Sequence, residues 1–142
     1  MHVIEVRDGE LLAAIEQSAA ARGIASAAIV TLIGAVDSFT LSTMPADDAT
    51  RDVITDYELP AEMTATGEIL DGRPHVHAVM AVEGDRAISG HLHKAQVGTW
   101  FARAYLLADT YGVGGTEREG TSMSEPEPTG AEAIEKFSRP PE

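Results

Sequence analysis

Apolar and polar positions change rhythm several times along this chain, and each change predicts an element. Met1-His2-Val3-Ile4-Glu5-Val6 reads as a strand, and Asp8-Gly9 starts a turn. Residues 10–22 carry Leu11, Leu12, Ile15 and several alanines near 3.6-residue spacing, which predicts a helix stopped by Gly23. Residues 26–33 form a continuous apolar run with β-branched content, which predicts a buried strand that Gly34 ends or bends. Residues 36–43 alternate and read as the next strand, and residues 44–50 are a Pro/Asp loop. Strand segments follow at 51–59, 63–70, 73–82, 87–92 and 100–107, separated by Gly or Pro breaks. One helix followed by many short strands predicts an α+β domain, a central antiparallel β-sheet with a packed helix.

The pattern changes after Gly112. Residues 1–123 are expected to form the folded domain, with 116–123 as one more strand. Residues 124–142 are expected to form a polar C-terminal tail with a short helical stretch at 131–137. Gly112-Val113-Gly114-Gly115 is not followed by Lys-Ser/Thr and lacks a helix start, so it reads as a hinge rather than a phosphate loop.

Composition narrows the function classes. The 142 residues are 44% hydrophobic, enough for one domain with a real core. No apolar stretch approaches the roughly 20 residues that span a bilayer. The first residues lack the basic start and apolar run of a signal peptide, and a cytoplasmic protein is the expectation. The chain has no cysteine, which removes disulfides, thiolate metal sites and a Cys nucleophile. Its net charge is −13, from 23 acidic and 10 basic residues. Duplex DNA is gripped by Lys/Arg against phosphates, and no basic cluster exists here, so nucleic acid is not an expected partner. No Gly-X-Ser-X-Gly motif occurs.

The candidate chemistry lies in one window. Four of the five histidines fall in Pro74-His75-Val76-His77 and Gly90-His91-Leu92-His93. Side chains alternate across a strand, so each His-X-His pair shares a face. An apolar run, Glu83-Gly84-Asp85 and a second run read as a β-hairpin. With Glu83-Gly84-Asp85 as a three-residue loop, His77 faces His91 and His75 faces His93. Opposed residues stand about 4.5–5.5 Å apart at Cβ, so this register gathers four imidazoles on one patch, and a slip of one residue scatters them. Neutral imidazole is the commonest metal ligand, and three histidines with an open position suit catalytic zinc. His75, His77 and His91 are the first three candidate ligands, and His93 is a fourth ligand, a rim base or neither. An unmetallated pocket and a purely structural role are the competing readings of the cluster. Glu68, on the preceding strand segment, is the candidate carboxylate for supporting a ligand or moving a proton. Glu58 and Arg73 are weaker candidates.

These motifs resemble the PPC family, the "plants and prokaryotes conserved" domain also carried by plant AT-hook nuclear proteins. The likeness runs roughly from Val3 to Thr121. Gly9-Glu10-Leu11-Leu12 is similar to the family's opening of its first helix. Gly23-Ile24 through Ile33-Gly34-Ala35-Val36 is similar to the following strand and its Ile-Gly turn. Gly72-Arg73-Pro74-His75-Val76-His77 and Gly90-His91-Leu92 are similar to its most recognisable signature. The resemblance implies an antiparallel sheet domain assembled as a homotrimer, with His75, His77 and His91 at positions that hold a divalent metal in prokaryotic members. His93 is outside that pattern. Ser89 stands where the family's Gly-Gly-His-Leu has its first glycine, and Ala102 stands where many bacterial relatives place a glutamate. No AT-hook occurs in the sequence, so the family's DNA-binding label transfers poorly. The fold implied is also similar to that of acetolactate decarboxylases, which hold zinc on His-X-His and a later His. The implied activity is metal-assisted lyase or hydrolase chemistry on a small molecule near a subunit interface. The alternative is a non-enzymatic regulatory or assembly module.

Overall fold

The computed structural model describes residues 1–108. The expectations at 112–115, 116–123 and 131–137, and the boundary at 123/124, lie outside the described residues. Among the described residues, nine strands and one helix follow in the order β1 His2–Val6, β2 Gly9–Glu10, α1 Leu11–Ala21, β3 Ala27–Val36, β4 Ser38–Thr43, β5 Val53–Tyr57, β6 Ala61–Leu70, β7 Arg73–Val82, β8 Arg86–Val97 and β9 Ala102–Ala108. All strand pairs are antiparallel, in the spatial order β1-β9-β3-β6-β7-β8-β4-β5, with β2 also on β8. The expected antiparallel sheet with one packed helix is what forms, and sheet dominates it.

β1 and β2 are two residues apart, yet β1 joins β9 while β2 joins β8. A single residue, Asp37, separates β3 from β4, and its N–H donates to the Gln96 carbonyl at 2.8 Å. The sheet therefore curls until its two flanks approach. Helix α1 lies in the curl against β1, β7 and β8 and buries Leu11, Ile15 and Ala19, a stripe at four-residue spacing. Glu10 caps it: its carboxylate accepts the N–H groups of Leu12 at 3.1 Å and Ala13 at 2.7 Å. At the other end Gly23 takes φ +67°, and the Ile24 N–H donates to the Ala19 carbonyl at 3.0 Å. That six-to-one closure is a Schellman turn, and it is why the helix stops at the expected glycine.

Two sequence expectations change. The run at 26–33 is not a wholly buried strand, and Gly34 does not end it. β3 continues to Val36, and Val30 and Ile33 are 54% and 43% exposed. Only the inner face of the curled sheet is covered: Val30 points out by plain alternation from buried Ile29, and a bulge between Ile29 and Leu32 shifts the alternation so that Leu32 points in and Ile33 out. Gly34 is needed instead for close approach, because a Cβ there would stand 2.1 Å from the Phe101 carbonyl oxygen. The second change is β8, which extends five residues beyond Leu92 by leaving β7 and pairing with β2 and β4. That pairing is long-range and invisible to local periodicity.

Candidate metal centre

Two hairpins build the site. β6 turns into β7 through Asp71-Gly72, both at positive φ (51° and 80°), a two-residue turn whose twist suits the flanking strands. β7 turns into β8 through Glu83-Gly84-Asp85, and Val82 pairs with Arg86. This is the three-residue loop read from the sequence, and its register places His77 opposite His91. On β7 the side chains alternate strictly. Val76, Ala78 and Met80 point into the core, and His75, His77 and Val79 point out.

The imidazoles of His75, His77 and His91 close into a triangle. Ring centroids are 5.2 Å apart for His75–His77, 4.9 Å for His75–His91 and 5.4 Å for His77–His91. Each ring offers a nitrogen within 4.8 Å of those of the other two. Nitrogens bound at 2.0–2.1 Å to one tetrahedral zinc are about 3.4 Å apart, so modest ring rotation closes the set on an ion. The rings of His75 and His77 are solvent-exposed and that of His91 is half-buried, which leaves an approach path. The residues present fit a three-nitrogen metal site with open coordination positions.

Two neighbours support the triangle. Glu68 lies directly across from His75 on β6, with its carboxylate 3.4 Å from His75 Nδ1. Gly67, beside it, lets the strands close, because a Cβ there would stand 2.1 Å from the His75 carbonyl oxygen. Gly90 does the same next to His91, where a Cβ would stand 2.4 Å from the Ser42 carbonyl oxygen. His91 is held below the ordinary imidazole range, first by burial, then by repulsion from His93, His75 and His77, against a weaker opposing pull from Asp52. Its ring stays neutral to lower pH, the form that binds a cation.

His93 takes a different place. The β7–β8 pairing ends at His77–His91, so His93 does not sit opposite His75. β4 pairs Leu41 with Leu92 and Thr40 with Lys94, which makes His93 the extra residue of a bulge. Its Nε2 shares a 2.8 Å hydrogen bond with Ser42 Oγ, and its ring is 4.7 Å from that of His91. It stands outside the three-histidine group. Ser42, a buried polar residue at 3% exposure, carries no signal in the sequence because its burial depends on that bulge. Arg73 opens β7 opposite Leu70, and Glu58 lies in the connection after β5; neither joins the triangle.

The architecture is that of a curled antiparallel sheet with one inner helix and a histidine triangle on its outer face. The chain belongs to the Plants and Prokaryotes Conserved (PCC) domain family, whose model matches residues 1–109. Solved structures share the fold. One is a protein of Ralstonia eutropha provisionally named as DNA-binding, 24% identical over 76% of this chain and 77% of that one, with a TM-score of 0.65. Another is a metal-containing protein of Archaeoglobus fulgidus, 23% identical over 76% and 80%, at 0.62. A third is a plant- and prokaryote-conserved protein of Pyrococcus horikoshii, 21% identical over 76% and 79%, also at 0.62. No curated protein sequence matches the chain. Among the described residues, no helix is long and apolar enough to cross a membrane.

Proposed function

We propose that this chain binds a divalent metal ion, zinc first among them, through His75, His77 and His91, and uses the centre to hold a small molecule beside a subunit interface of a homotrimer. The observation that carries this reading is the triangle itself: three imidazoles from adjacent strands, ligand atoms within 4.8 Å, open to solvent. The metal-containing relative from Archaeoglobus fulgidus supports it. A bound ion supplies Lewis acidity toward a carbonyl or hydroxy-acid oxygen, the basis for lyase or hydrolase chemistry. The protein's own part is positioning. With Nδ1–H of His75 donated to Glu68, Nε2 is left free as the ligand atom. Glu68 is also the carboxylate placed to move a proton, and the Ser42-bonded His93 serves at the rim or as a fourth ligand.

The test is metal analysis of purified protein, with His77→Ala as control. Stoichiometric metal in the parent and its loss in the variant support the reading, and absence of stoichiometric zinc, iron or manganese in both ends it. A second reading, a regulatory or assembly module, draws on the same face. Thr64 pairs with both Ile33 and Val79, and these two apolar residues are exposed beside it. Partner binding that survives in His77→Ala favours that module. Direct DNA binding conflicts with the −13 charge, and absence of a shift at low salt removes it.

A further inference from the structure

At the end of the sheet away from the Asp71-Gly72 turn, a cleft of about 790 Å³ opens between the β3–β4 corner, the start of β6 and the β8–β9 connection. Its volume is in the range of small-molecule sites. The walls are mostly apolar: Ala35, Ala61, Ala81, Phe101 and Trp100. Trp100 is 66% exposed, the largest side chain left bare on the described surface. Asp37 and Glu62 are the only charged residues of the lining. Asp37 is held in place by the Thr99 N–H at 3.0 Å, and Glu62 has no ion-pair partner among the described residues. The guanidinium groups of Arg7 and Arg103 lie over Phe101 at 5.6 and 4.9 Å, bind Glu5 and do not line the cleft.

We propose that this cleft is a second binding site, for a small organic ammonium ion with an apolar or aromatic body. The apolar walls take the body, the indole face attracts the cation and the two carboxylates complement its charge. Trp is the strongest of the aromatic partners for a cation. A neutral ligand leaves both carboxylates uncompensated, and an organic anion is repelled. A second copy of this chain is the competing occupant, and the titration below distinguishes it. The site is separate from the histidine centre and does not rest on the metal reading.

The chain contains one tryptophan, so fluorescence excited selectively at the indole, beyond the absorption of its three tyrosines, reports this cleft. The probes are phenethylammonium, the neutral 2-phenylethanol and the anionic phenylacetate, titrated into the full chain. The expected result is a saturable change in emission with phenethylammonium, about tenfold weaker binding of the alcohol and none of phenylacetate. The exposed Glu62→Gln is expected to fold normally and to weaken the ammonium by about threefold. His77→Ala is expected to leave the titration unchanged, which separates this site from the metal centre. Equal affinity for the alcohol and the ammonium overturns the proposal, as does no saturable response. Emission that shifts with protein concentration while ignoring phenethylammonium also overturns it, because a second copy then fills the cleft.

Discussion

The inner and outer faces of β7 and β8 are made by alternate residues of the same two strands, and they behave as different materials. Inward, Val76, Met80 and Leu92 are fully buried with Ile15 of α1 in one core. Outward, His75 and His77 are exposed and His91 is half-buried, with Ile33 and Val79 bare beside them. The inner face contributes fold stability through apolar burial, about 1.5–3 kcal/mol for each large side chain. The outer face contributes little to folding, so its residues are free to be chosen for chemistry. Gly67, beside Glu68, and Gly90, beside His91, join the two roles, since backbone approach there shapes the patch from within the sheet.

Substitutions can break this contrast. The largest effect is expected for Met80→Ala, a loss of about 2–5 kcal/mol in urea unfolding, with metal binding retained while the chain stays folded. A loss below ~1 kcal/mol shows that the inner face is not the stabilising one. Gly67→Ala comes next, at about 1–3 kcal/mol. It should also weaken metal binding, because the backbone must shift beside His75; intact metal affinity counts against close approach as a determinant of the patch. Glu10→Ala is expected to cost about 1–2 kcal/mol. It removes the helix cap and also the acceptor of the Ala95 N–H at 3.1 Å, while leaving the outer face intact.

The pH dependence sharpens the contrast further. His91 sits below its ordinary value of about 6.5, so the unfolded chain binds more protons between the two values. Metal-free protein should keep its full stability above about pH 6.5 and lose some as pH falls through the folded value. The urea midpoint of His91→Gln should lack that step, and a step of equal size in the variant rejects the assignment. Glu5 is also lowered, first by its hydrogen bond to Arg103, and its contribution is lost only in the lower carboxylate range, so the two windows separate. The smallest stability effect belongs to His77→Ala, within about 0.5 kcal/mol. Its metal affinity should nevertheless fall by more than the roughly 10–100-fold typical of outer-sphere partners. Calorimetric metal titration beside urea unfolding measures both, and a variant that loses stability and affinity together contradicts the division of labour.

Much of this was readable in the residues alone. Leu11, Ile15 and the alanines at helical spacing, followed by Gly23, mark α1 because amphipathic period and stop signal are local properties. Glu83-Gly84-Asp85 sets the β7–β8 register, and a register propagates along a hairpin with a period of two, which is why His77 and His91 are opposed. The same rule places His93 opposite His75, and there it reaches its limit. β8 leaves β7 for β4 and β2, and the bulge opposite Thr40 and Leu41 turns His93 toward Ser42. No local pattern encodes that exchange of neighbours, because it depends on strands more than fifty residues away. The double duty of Glu10, the outward turn of Ile33 past the β3 bulge and the cleft around Trp100 share that origin. Alternation and turn chemistry act over a few bonds and are written in the sequence. Which strand lies beside which, and so which side chain is turned or uncovered, was decided only when the curled sheet closed on its helix.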